Sequence, residues 1–123
     1  MTSESLISVE NVTIAASGSL SGGANLNGRD NAPAGLRVCG IVMPAAWTAA
    51  SMTFEVSMDG VTYQDLYDAD GNEMTFTVAA ATTLTLDPAI FAAMPYVKVR
   101  SGVSATPVNQ AAERTVGLVL RRV

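Results

Sequence analysis

The sequence predicts an all-β protein: a single antiparallel β-sandwich of jelly-roll type, with about nine strands and one short helical turn near residues 88–93. Three observations lead there. Residues 51–66, S-M-T-F-E-V-S-M-D-G-V-T-Y-Q-D-L, place Met52, Phe54, Val56 and Met58 on one side of an extended chain, with Thr53, Glu55 and Ser57 on the other. That two-residue period marks a half-buried strand, and Asp59-Gly60 supplies a hairpin turn because Gly accepts positive φ. Short segments of the same kind recur between turn residues, and no long helix and no repeat of fixed period interrupts them.

The elements follow in chain order. Residues 6–9 and 12–14 read as a first strand, with an interruption near Glu10-Asn11. Residues 15–28 are small and Gly/Ser-rich, yet Leu20, Ala24 and Leu26 keep an even spacing, which favours a strand bulged at Gly22-Gly23 over a linker. Residues 29–35 form a loop by their turn residues. Residues 36–43 are apolar on both faces apart from Arg37, the pattern of a central strand covered on two sides. After Pro44 a turn lays Trp47, the only tryptophan, across an end of the core. Val61-Thr62-Tyr63 starts the strand returning from Asp59-Gly60, and a second Asp-Gly turn follows at 67–73.

Residues 74–78 and 82–86 alternate as two further strands, joined by three alanines. Asp87 stands at an N-cap position and Pro88 at the first helical position, so one helical turn forms and Pro95 ends it. Residues 96–100 give a strand with Val97 and Val99 inward and Tyr96, Lys98 and Arg100 outward. Residues 101–114 are the longest non-periodic stretch, a length at which loops are functional or pack as a structured crossing. The segment 115–123 closes the chain with Val116, Leu118 and Leu120 on one face.

Composition narrows the function. At 123 residues the chain is one domain, 1–123, with an extended N-terminal segment 1–11. Charged residues make up 15%, against about 25% in an average soluble domain, which suggests a surface kept against a partner. The net charge of −4 and the scattered basic residues argue against nucleic acid. No apolar run approaches the ~20 residues that span a bilayer, and M-T-S-E-S has no character of a secretion signal. Cys39 is single, so an internal disulfide is excluded, and its apolar setting is that of a small buried thiol.

Chemistry is sparse. There is no histidine, no zinc-ligand set, and no nucleotide or nucleophile-elbow motif. The expectation is a non-enzyme with no catalytic residue, no cofactor and no metal. The acidic cluster Asp65, Asp68, Asp70 and Glu73 raises Ca²⁺, but its ligand series stops after Asp70, and a solvated turn is the better reading. In the loop 101–114, Glu113 or Arg114 can pair with Arg100 or Asp87, or the polar groups there can contact another subunit.

Two resemblances extend this reading. F-E-V-S-M-D-G-V-T-Y resembles the strand-turn-strand signature of discoidin-like and related galactose-binding jelly rolls, in which S-x-D-G-x-x-W/Y recurs, with Tyr63 at the aromatic position. It implies fold, not ligand. The blocks I-V-M-P-A-A-W-T-A-A-S-M-T-F-E-V-S-M-D-G-V-T-Y-Q-D-L-Y-D and Y-V-K-V-R-S-G-V-S-A-T-P-V-N-Q-A-A-E-R, spanning 41–114, are similar to small structural proteins of tailed bacteriophages and related prophages. That resemblance implies a capsid decoration (cement) protein, or a head-fibre or tail-associated protein, made in the host bacterial cytoplasm and placed on the capsid surface of the virion. Its partners would be the major capsid protein and copies of itself, a trimer suiting a three-fold junction. No catalytic residue carries over.

Contact residues are expected in the N-terminal segment 1–11 (Ser5, Leu6, Ile7), the loop 28–35 (Arg29, Asp30, Asn31) and the loop 101–114 (Asn109, Gln110). Removal of 1–11 is expected to abolish shell binding and leave the fold intact. The competing expectation is a carbohydrate-binding module of a tail or fibre, stacking sugars on Trp47, Tyr63, Tyr67 or Tyr96.

Overall fold

A computed structural model of the chain describes residues 7–26, 36–91 and 94–122, with the backbone alone of Ile7 and Arg122. The first sheet runs, in spatial order, β1 (Ile7–Ile14), β9 (Arg114–Arg122), β3 (Leu36–Val42) and β6 (Thr83–Thr85). The second runs β2 (Ala24–Asn25), β7 (Tyr96–Val103), β4 (Met52–Ser57) and β5 (Gln64–Asp65), with β8 (Thr106–Pro107) folded back on the end of β7. All of these pairings are antiparallel. The pairs β1–β9, β2–β7, β3–β6 and β4–β5 are successive rungs of one long ribbon, and alternate rungs fall to opposite sheets. Contacts of β9 with β3 and of β7 with β4 then complete each sheet. This is the jelly-roll winding the sequence predicts.

The alternation of the strands fills the space between the sheets. Ile14, Val38, Ile41, Val116, Leu118 and Leu120 from the first sheet meet Met52, Phe54, Val97 and Val99 from the second, all of them fully buried. Burying each such side chain contributes about 1.5–3 kcal/mol. The Phe54 ring lies edge-on to those of Phe76 and Phe91, with centroids 5.4 and 5.0 Å apart. Phe91 is held there by the 3₁₀ turn Pro88–Phe91, whose start Asp87 caps by accepting the Ala89 N–H at 2.9 Å.

Several expectations are corrected. β1 is one unbroken strand paired with β9 from Ile7 to Ile14, so residues 7–11 belong to the sheet and cannot be removed as an arm. The bulge at Gly22-Gly23 is present, since four steps from Leu20 to Ala24 face three from Arg100 to Val97. It shifts the side-chain phase: Ser21 is buried and Leu20 partly exposed. Ser21 keeps that position because its hydroxyl accepts the Val99 N–H at 2.9 Å.

In the 51–66 hairpin, β5 starts at Gln64, leaving a six-residue loop over 58–63 where a tight turn was expected. Residues 74–78 are not a strand; Phe76 alone bridges, to Met52, because β5 already pairs with β4 over Glu55 and Val56. β7 extends through Val103, and Arg100, expected to point into solvent, is buried. Thr53 and Ser57, on the expected outer side of β4, are buried as well. Loops folded over the outer face of the second sheet cause both departures.

Candidate functional site

Ser5, Leu6, Arg29, Asp30 and Asn31 lie outside the described residues. Ile7 opens β1 opposite Arg121. Asn109 is exposed, whereas its neighbour Gln110 is fully buried and offers no surface to a partner.

Gln110 is an internal strut. Its amide nitrogen donates to the Ser101 hydroxyl at 2.7 Å and to the Thr48 carbonyl at 3.0 Å. Its amide oxygen accepts the Thr48 N–H at 2.8 Å and the Arg114 Nε–H at 3.1 Å. A second Arg114 nitrogen donates to the Thr48 hydroxyl at 3.3 Å. Arg114 thus serves the crossing from within in place of the expected pairing with Asp87, and the carboxylates on Arg100 are Glu55, Asp65 and Glu73 in place of Glu113. The stretch 101–114 is a structured crossing whose polar groups are used to pin it.

The acidic stretch is divided between two tasks. The Arg100 guanidinium donates to Glu55 from β4 at 2.7 Å, to Asp65 from β5 at 2.6 Å and to Glu73 at 3.2 Å. Ser104 joins them, its hydroxyl donating to Asp65 at 2.6 Å and its N–H to Glu73 at 3.1 Å. One cation thereby ties β4, β5, the 67–73 turn and the β7–β8 turn to the outer face of the second sheet. The Ser104 hydroxyl and the Arg100 guanidinium hold the Asp65 carboxyl below the usual carboxylate range. Burial works against the charge on Arg100, and its bonds to Asp65 and Glu55 more than offset this, so its pKa is raised.

Asp68 does the other task. Its carboxylate accepts the N–H groups of Asp70 and Asn72 at 2.9 and 3.0 Å and shapes the turn in which Gly71 takes φ +84°. Among the described residues, no group of three or more His, Cys, Asp or Glu side chains is placed to hold a metal ion. Where three carboxylates do converge, Arg100 occupies their centre.

The aromatic residues are mostly engaged. Trp47 packs against the core and donates its indole N–H to the Ala50 carbonyl at 3.1 Å. Lys98 sits 4.3 Å from the centroid of the Tyr63 ring, and the Tyr96 ring lies against Gly60. Tyr67 alone among them is mostly in water.

Among the described residues, the large exposed apolar side chains other than Leu20 fall in two places. Val9 and Val42 flank Gly117 on the outer face of the first sheet. Met58, Val61 and Tyr67 stand at the β5 edge of the second. Sequence reasoning missed the latter group, because alternation assigned Met58 to the core face. The available signal was local: Met58 and Val61 flank Asp59-Gly60, and side chains beside a turn tip project into solvent. No protein-family model matches the sequence, and no curated protein matches it.

Proposed function

We propose that the chain is a non-enzymatic structural protein of a phage virion, a decoration (cement) protein that binds the outer head surface and stabilises capsomer junctions. The observation that carries this reading is where the polar groups go. Arg100 with three carboxylates, and Gln110 with Thr48, Ser101 and Arg114, fasten loops onto a jelly-roll frame. Apolar side chains, meanwhile, are held in water at Val9, Val42, Met58, Val61 and Tyr67. A rigid scaffold presenting apolar groups gains contact area on docking with little ordering of loops to oppose it. The similarity of 41–114 to small phage structural proteins supports the virion setting, with the major capsid protein and further copies of the chain as partners. The glycan alternative receives less support, since Trp47, Tyr63 and Tyr96 are engaged within the fold.

Co-sedimentation of the purified protein with matching capsid shells assembled without it tests the proposal. The expected result is saturable binding at a fixed copy number per shell, and that number identifies the symmetry site. Absence of binding would overturn the head assignment and direct a glycan screen. The N-terminal contribution is read by deleting residues 1–6, which spares every rung of β1.

A further inference from the structure

The loop between β4 and β5 is fixed by its own side chains. The Ser57 hydroxyl oxygen accepts the N–H groups of Asp59 and Gly60 at 3.2 and 2.8 Å and donates to Asp59 at 2.9 Å. Asp59 in turn accepts the N–H groups of Val61 and Thr62 at 2.8 and 2.9 Å. Gly60, at φ +78°, permits the path. Those amide bonds, with Thr62 and Val61 foremost, hold the Asp59 carboxyl below its ordinary range. On this fixed loop Met58 is 67% and Val61 83% exposed. An unrestrained loop would fold such side chains down; here the backbone keeps them out.

Beside them runs a groove of about 460 Å³ in which Val56, Met58, Leu66, Tyr67 and Met94 share the lining with polar groups, Asp59 and Asp65 among them. Exposed apolar side chains thus stand next to a recess of mixed apolar and acidic lining at the β5 edge.

Charge then selects the occupant. The segment 55–73 carries six carboxylates and no basic residue. Lys98 and Arg100 are the bases that face it from β7, through Glu55, Asp65 and Glu73. This region therefore holds a net −4, the whole net charge of the chain, and the other five acids and five bases cancel. Two copies meeting through it would oppose like charges, and a nucleic acid or an anionic lipid surface would be repelled. The charge suits a basic protein.

We infer that the β4–β5 loop and its adjoining groove dock a segment of a different protein that presents an apolar side chain between lysine or arginine residues. The apolar side chain fills the recess against Met58 and Tyr67, Val61 packs on its flank, and the basic groups meet Asp59 in the lining and the surplus negative charge of the segment 55–73. This rests on the reading of the chain as a docking protein and adds the surface and the chemistry of what it docks.

Two experiments separate that inference from the proposed function. In the first, the isotope-labelled full chain is titrated with a capped peptide alternating lysine and leucine, and with a glutamate–leucine peptide of the same pattern. The lysine peptide is expected to shift the methyl signals of Met58, Val61 and Met94 and the ring signals of Tyr67. Met58→Ser and Val61→Ser should each weaken it about tenfold, and added salt should weaken it further. No shift, shifts elsewhere, or equal binding of the glutamate peptide overturns the inference. In the second, both variants are sedimented with shells. Wild type bound and variants lost supports it, and all bound overturns this surface while leaving the decoration role standing. Wild type unbound overturns the decoration role, and the peptide titration then decides the surface on its own.

Discussion

Arg100 and Gln110 each anchor a buried polar centre, and they solve one problem by different chemistry. Both fasten loops to β7, on opposite faces of the same strand: Arg100 lies on the outer face, while Gln110 bonds to Ser101, the next residue along. The first centre is ionic, one guanidinium among three carboxylates whose side chains keep 14–29% of their exposure. The second is neutral, and every polar atom of the Gln110 amide is bonded inside the protein. An ionic clasp with surplus negative charge depends on protonation and salt. A neutral strut depends on geometry alone. The contrast predicts different responses to the same insult.

The largest effect is expected at Arg100. Arg100→Met keeps the bulk of the side chain but leaves Glu55, Asp65 and Glu73 facing one another without a cation. Removing one partner of a buried pair costs about 3–5 kcal/mol, and the partial exposure of these carboxylates places the loss toward the lower end. Urea denaturation at pH 7 measures it. The loss should shrink on acidification, since protonated carboxyls no longer repel.

The sign is fixed by Asp65, whose folded pKa is depressed by Ser104 and Arg100. Its stabilisation is complete above the unfolded value of about 4 and disappears as pH falls through the lower folded value. Wild type should therefore lose stability below about pH 4 more steeply than the variant. Equal losses at pH 7 and pH 3 would show that Arg100 acts by packing.

Gln110→Leu is the matched perturbation of the neutral centre. It strands the Thr48 N–H and carbonyl, which are part-buried, and the fully buried Ser101 hydroxyl. Each unsatisfied group costs about 1–3 kcal/mol, but relaxation of the crossing recovers part, so about 2–3 kcal/mol is expected. Unlike the Arg100 variant, this loss should be the same at pH 7 and pH 3 and insensitive to salt. A loss that shrank on acidification would mean that the two centres are coupled through β7. A double-mutant cycle would give the coupling directly.

How these centres escaped the sequence shows what a sequence reports. Local pattern gave the strands of the core, the Asp70-Gly71 turn and the Asp87 cap, because each is decided within a few residues. It placed Arg100 and Thr53 on the outer side of the second sheet correctly, but took that side for solvent. Coverage by the 67–73 and 104–105 turns is a tertiary fact that no local period contains. The same limit produced the extra strand at 74–78, whose alternation is real but whose place beside β4 is taken by β5. Gln110 sits in a stretch without period, so nothing distinguished it from the exposed Asn109. The β4–β5 loop was misread for the opposite reason: Met58 continued an alternation that the backbone had already left.

The smallest effect tests what remains of the acidic stretch. Asp65 and Glu73 are turned toward Arg100, and Asp68 is occupied by the N–H groups of Asp70 and Asn72. A Ca²⁺ ion needs six to eight oxygen ligands, so binding here would require breaking the clasp or the turn. The melting temperature should therefore be the same in EGTA and in millimolar Ca²⁺. The measurement is decisive because a site filled at a hundred times its Kd would add about 2.7 kcal/mol, well above detection. A rise with Ca²⁺ that Asp68→Asn abolished would make the turn a metal site. A rise that survived Asp68→Asn and grew in Arg100→Met would instead place the ion at the ionic centre, where removing the guanidinium frees the three carboxylates to bind it.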